Sequence, residues 1–148
     1  MEHIQIVKAA YSAIEAGDFD TVEGLLHENY QLTGPVSQSM GKEDVLKLLK
    51  ALKAALPDFA FSLSDLKETD EQVSGIQHVT GTHSHTLDLS FMGVPTQTAT
   101  GKKVKLPDEP FKVEFMGNQI SKLHFEPVEG GGVPGLLTQI GATVEAPA

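Results

Sequence analysis

The sequence predicts an α+β fold, a cone-shaped, strongly curved antiparallel sheet wrapped around three N-terminal helices, with an internal pocket. Three observations lead there. Apolar residues recur at spacings of three and four up to Leu56, and at every second position after Pro57. The helical patterns all come first and the strand patterns follow, which is the segregated order of α+β domains. A chain of 148 residues, 40% hydrophobic and 21% charged, can bury a core of its own as one domain. Sheets twist, and a twisted sheet that curls around amphipathic helices encloses an interior. The single domain is expected over residues 1–142, with 143–148 as a flexible tail.

Each element has its own signal. Ile4, Val7, Tyr11 and Ile14 form the buried stripe of a first helix, which Gly17 ends. DTVEGLL reads as a second helix, with Asp20 at the cap and Glu23 three residues on as a capping box. Val22, Leu25 and Leu26 are its apolar side. YQLTGP is a short extended piece broken by Gly34 and Pro35. The third helix, in GKEDVLKLLKALKAALP, sets Val45, Leu48, Leu49, Leu52 and Leu56 on one side, and Pro57 closes it. FAFSL then alternates as a strand, and KETDEQ is a polar turn. VSGIQHVTGTHSHTLDLSF is one long strand, or two joined near Gly81. VKL at 104–106 and FKVEF at 111–115 are further strands, and Gly117-Asn118 turns the chain into a last strand, ISKLHFE. A short helix is expected around Leu136 to Ile140.

Composition excludes several functions. With 20 acidic against 11 basic residues the net charge is −9, and no Lys/Arg cluster stands out. Nucleic acid and anionic membrane are therefore not expected partners. The small basic group Lys102, Lys103 and Lys105 reads as a solubility device on an edge strand. The absence of cysteine rules out disulfides, thiol nucleophiles and Cys-ligated metals. The N-terminal residues carry no secretory pattern and no apolar run approaches a membrane span, so a cytoplasmic location is expected.

The segments AAYSAIEAGDFDTVEGLLHENYQLTGP, GKEDVLKLLKALKAALPDFAFSLSDL, VTGTHSHTLDLSFMGVP, TGKKVKLP and NQISKLHFE, in that order, resemble the SnoaL-like polyketide cyclases. That family belongs to the nuclear transport factor 2-like superfamily of cone-shaped α+β proteins. The resemblance covers residues 4 to 127 and implies a homodimer. It also implies chemistry without cofactor or metal, on a small hydrophobic or polyketide-like carbonyl compound. In the family the last strand carries His-x-Asp, and the aspartate removes a proton from carbon ahead of an aldol closure. The matching positions here are His124 and Glu126, so the resemblance implies Glu126 as general base and His124 as the group that orients or protonates.

Two departures bear on that assignment. Glutamate is one methylene longer than aspartate. Three residues stand between Ile120 and His124 where the family pattern has two, so a bulge or a shifted register is required. With strict register, Leu123 or Phe125 faces the pocket and His124 with Glu126 points outward. His83, in GTHSH, matches the family's histidine and is a third catalytic candidate. By alternation His85 shares its face, along with Leu87 and Leu89, whereas His78 lies on the other.

Tyr11 and Tyr30 can present hydroxyls to a cavity, and Glu114 stands in VEF where the superfamily often has arginine. With His78 and His85 they are the candidate substrate contacts. His83-x-His85 lacks a spaced third ligand, and no metal is expected. The function expected is a cofactor-independent cyclase- or isomerase-type enzyme. The alternatives are a non-catalytic small-molecule-binding protein of the same fold, and an interaction module using the outer sheet face.

Overall fold

The first helix ends where a left-handed residue is needed. In the computed structural model, which describes residues 2–34, 40–69, 72–92, 94–126 and 128–141, α1 runs His3–Ala16 and Gly17 adopts φ 75°. Its buried residues include Ile6, Val7, Ala10, Tyr11 and Ile14. α2 spans Phe19–Leu25, and its cap is Asp18, whose side chain accepts from the Thr21 N–H at 3.3 Å. The expected capping box at Asp20 is therefore displaced by two residues. Asp18 wins because it directly follows the Gly17 stop and can bond both the backbone and the hydroxyl of Thr21. Leu26, assigned by period to this helix, instead opens β1 (Leu26–Thr33).

β2 is the pair Met40–Gly41, and α3 follows as Lys42–Ala55 with Val45, Leu48, Leu52 and Ala55 buried. The strands after it are β3 (Ser64–Thr69), β4 (Gln72–Gln77), β5 (Thr80–Thr82), β6 (Lys103–Lys105), β7 (Glu109–Met116) and β8 (Gln119–Phe125). α4, Gly132–Gln139, comes last. Several sequence assignments shift. FAFSL is not a strand, although Phe59 and Phe61 are buried and Ala60 bridges Thr80. Its polar successor KETDEQ, expected as a turn, supplies half of β3. The long strand breaks at His78–Val79, not at Gly81, and after Thr82 only the isolated Leu87–Gln97 bridge remains. The tail expected from residue 143 lies outside the described residues.

The main sheet has six strands in the order β2-β1-β8-β7-β4-β3, while β5 and β6 pair separately. All pairings are antiparallel except β1 with β8, which is parallel and joins the first long strand to the last. The sheet curves, with helices on its concave side. Alternation sorts the two faces: Val73 and Gln77 of β4, and Glu109, Phe111 and Val113 of β7, are buried inward. Gly75 sits in the same inner row because a Cβ there would lie 2.6 Å from Leu66 and 3.0 Å from Phe111. The outer rows are polar, including Ser74, Lys112, Glu114 and Lys122.

Candidate functional site

A cavity of ≈ 140 Å³ lies between the concave sheet face and α1 and α3. Its wall is drawn from every layer: Val7 and Ala10 of α1, Leu48 and Leu52 of α3, Leu32 of β1, Val113 of β7, and Leu136 of α4. Phe59 and Phe61 pack edge-on, and Phe61 meets Tyr11 with ring centroids 4.9 Å apart. Among the described lining residues only Tyr11, Tyr30, Gln77 and Glu109 are polar. All four are buried.

The fold brings Tyr11, Gln77 and Glu109 together from distant parts of the chain, and Tyr30 of β1 lies in the same wall. Gln77 and Glu109 are direct cross-strand partners on β4 and β7, so their side chains leave the sheet side by side. Tyr11 reaches down from α1 and donates its hydroxyl to Gln77 Oε1 at 3.1 Å. Burial pushes the Tyr11 phenol well above its ordinary value, and the neighbouring acidic groups Tyr30 and Glu109 push it the same way. Burial likewise raises Tyr30. Both phenols therefore stay protonated at neutral pH and act as hydrogen-bond donors. Gly131, the N-cap of α4, lies close enough that a Cβ built there would be 3.4 Å from the Glu109 carboxyl carbon. The positive end of a helix dipole favours an ionised carboxylate nearby.

The expectation that His124 and Glu126 line the pocket is corrected. Their side chains are 39% and 56% exposed, with His124 Nε2 and Glu126 Oε1 4.0 Å apart on the outer sheet face. His124 Nδ1 is 2.8 Å from the Thr33 hydroxyl, and its cross-strand neighbour is Lys112. Glu126 lines an outer groove with Lys67, Ser74, Ile76 and Lys112.

The cause is a bulge. Ile120 pairs with Phe115 and Lys122 with Glu114, so Ser121 is an extra residue in β8. Ile120 faces the cavity, and unbroken alternation would carry Lys122, His124 and Glu126 inward with it. The extra residue exchanges the faces, and Leu123 and Phe125 line the cavity instead. The bulge expected from the spacing is present, but the two registers act the other way round. The unbroken strand, expected to turn the pair outward, would have turned it in, and the bulge turns it out.

The other candidates separate. His83 is fully buried but does not line the cavity; it is a packed histidine bonded through Nδ1 to the Thr100 hydroxyl at 2.9 Å. Burial lowers its pKa below the ordinary 6.5, opposed by the His85 backbone. The face shared with His85 does not form, because the strand ends at Thr82 and the Ser84 and His85 N–H groups both turn to the Ala55 carbonyl. His85 is exposed, so the two histidines do not chelate. Among the described residues no three His, Asp or Glu side chains gather as a metal site.

His78 is half-buried on the outer face, contacting Ser64 Oγ at 3.1 Å and pairing with Asp108. Glu114 is also outside the cavity, 3.9 Å from the Lys122 ammonium. Of the residues singled out from sequence, Tyr11 and Tyr30 reach the cavity. Gln77 and Glu109 were missed. Their signal was parity: Gln77 is two positions from Gly75 and from Val79, and Glu109 two from Phe111, each on an inward row.

The family model described as a SnoaL-like domain matches residues 7–123. The chain belongs to the SnoaL-like family. Solved structures with the same fold include a "putative SnoaL-like polyketide cyclase" from Jannaschia sp. CCS1, 14% identical, TM-score 0.72, covering 95% of this chain and 92% of that one. IdmH from Streptomyces antibioticus, named a "putative polyketide cyclase", is 19% identical with TM-score 0.70 and covers 96% of this chain and all (100%) of its own. A cystatin fold protein from Novosphingobium aromaticivorans is 22% identical with TM-score 0.63, covering 84% of this chain and 97% of that one. At these identities the likeness speaks for the fold. No curated protein matches this SnoaL-like chain.

Proposed function

We propose that this SnoaL-like protein is a cofactor-independent enzyme of the cyclase or isomerase type, acting on a small apolar carbonyl compound inside the cone. One observation carries the reading: an almost wholly apolar cavity in which a carboxyl and an amide stand side by side, one protonated phenol bonds to the amide, and a second phenol lies in the same wall. Glu109 is the general base. It takes a proton from the carbon next to the carbonyl; the C–H electron pair moves into the new C–C double bond and the carbonyl π pair onto oxygen. The enolate oxygen accepts a hydrogen bond from the Tyr30 phenol or from the side-chain N–H of Gln77, whose amide Tyr11 orients by donating its own hydroxyl to Oε1. The enolate carbon then attacks a second carbonyl of the same molecule, which re-forms the first carbonyl and leaves an alkoxide that takes the proton from Glu109, as in aldol closure, or the enolate takes that proton at another carbon. The polyketide cyclase names of IdmH and the Jannaschia protein support the reaction class. A second copy against the polar outer sheet face belongs to the same proposal, and sedimentation velocity tests it.

The test is exchange of the α-protons of 2-methylcyclohexanone for deuterium, followed by NMR. A positioned general base contributes about a hundredfold or more, so Glu109→Gln should lower the enzymatic rate by about that factor while the fold persists. Glu126→Gln should leave it unchanged. The reverse pattern would return the role to the outer pair. The competing reading is a binding protein without catalysis, favoured by the outward placement of His124 and Glu126. It predicts ligand binding with exchange no faster than in buffer.

A further inference from the structure

The same cavity restricts what can enter it, and the restriction points away from multi-ring skeletons. We infer that its ligand is a neutral compound about the size of one six-membered ring, carrying a carbonyl or hydroxyl group at one end. The inference rests on the acid/base site proposed above for its polar end, and on the cavity's size and charge for the rest.

Size comes first. A dry apolar cavity of roughly 150 Å³ in another protein holds a benzene molecule, and protein interiors yield little around such a space. The cavity here is ≈ 140 Å³. Its deep wall is buried side chains of α1, α3 and the sheet, so a second fused ring would have to displace packed residues such as Leu52 or Val113 or stand out of the pocket into water. Charge is the second restriction. Among the described lining residues there is no Lys, Arg or His, while Glu109 supplies a carboxyl and both tyrosines stay protonated. An anionic ligand would lose its hydration, find no counter-charge among the described lining residues and, with Glu109 as the ionised base proposed above, face a like charge. Orientation is the third. Tyr11, Gln77 and Glu109 sit together where β4 and β7 meet α1, so a ligand with one polar end meets them while its ring lies against Phe59, Phe61 and the leucines of α3.

Three probes of matched shape test this: p-cresol as the neutral single ring, 4-methylbenzoate as its anionic counterpart, and 2-naphthol as the neutral two-ring compound. Binding is measured by calorimetry and by shifts of the Tyr11 and Tyr30 ring signals. Larger apolar molecules ordinarily bind more tightly, so a reversal is diagnostic. The expected order is p-cresol first, with each of the others weaker by at least about tenfold, or roughly 1.4 kcal/mol. Leu49→Ala, which widens the cavity from α3 at a half-buried position, should narrow the gap between 2-naphthol and p-cresol. Glu109→Gln should narrow the gap between 4-methylbenzoate and p-cresol. Binding of 2-naphthol or 4-methylbenzoate as tightly as p-cresol by the unaltered protein overturns the inference, as does failure of p-cresol to bind. None of these outcomes decides the role of Glu109 as base, which the deuterium exchange decides separately.

Discussion

The hydrogen bond from Tyr11 to Gln77 Oε1 can be weighed by a double-mutant cycle, because both ends are buried beside an apolar cavity. Tyr11→Phe keeps the ring and its contact with Phe61 but leaves the Gln77 oxygen without this donor. Gln77→Met keeps the volume and strands the phenol hydroxyl. Leaving one buried partner unsatisfied costs about 1–3 kcal/mol, whereas removing both together can be nearly neutral. The double variant should therefore be more stable than the sum of the singles implies, by about 1–2 kcal/mol. For a domain of this size 1 kcal/mol corresponds to roughly 2–4 °C in Tm. Urea unfolding followed by far-UV circular dichroism, with m held constant across the four proteins, supplies the numbers. Additivity within about 0.3 kcal/mol would refute the reasoning, since it would mean that water already satisfies both groups in a wet cavity. Wetness would also undermine the single-ring ligand, so this cycle probes the premise of the site and not only one bond.

Other consequences follow from the same structure. His83 has its pKa lowered by burial, so the unfolded chain binds its proton first; its contribution is complete above pH 6.5 and is lost as pH falls below that value toward the lowered folded pKa. Urea midpoints should drop as pH falls from 6.5, and His83→Gln should flatten that slope; an unchanged slope would show that the imidazole is hydrated. The tyrosine pair predicts the opposite sign at the alkaline end. Burial raises both phenols above 10, so stability from keeping them protonated is lost as pH rises past 10. The chain has two tyrosines and no tryptophan, so absorbance near 295 nm should rise only together with loss of the circular dichroism signal. Gln139 accepts from the Lys105 N–H and donates to its carbonyl, both at 2.8 Å, pinning α4 to β6. Gln139→Ala should cost about 1–2 kcal/mol and speed hydrogen exchange at the Lys105 amide, with exchange elsewhere in β7 and β8 little changed.

The sequence and the structure part company where local spacing stops determining which face a side chain takes. Helical periodicity located α1 and α3 because their apolar stripes are long and uninterrupted, and alternation followed through VSGIQ and FKVEF marks the inner rows of β4 and β7. Those same rows contain Gln77 and Glu109, so half of the polar cluster was within reach of alternation alone once β7 was extended back through Pro110. Pro110 hid that extension, because proline inside a strand ordinarily argues against one. Here it stands on the outer row opposite Ile76.

The last strand is different in kind. Whether His124 faces in or out depends on one unpaired residue, Ser121, and nothing in ISKLHF distinguishes a bulge there from a bulge one position later. Bulges are set by what the neighbours tolerate, and β8 is squeezed between a parallel β1 and an antiparallel β7, each with its own register shift. The pairing on both sides favours Leu123 and Phe125 beneath the helices, since putting Lys122 there would bury an unpaired ammonium in an apolar wall. Desolvation thus chooses the register, and the register chooses which carboxylate is enclosed. An enclosed carboxylate in this fold has to come from a strand whose neighbours on the same face are apolar, a condition met by Glu109 beside Phe111 and not by Glu126 beside His124 and Lys122.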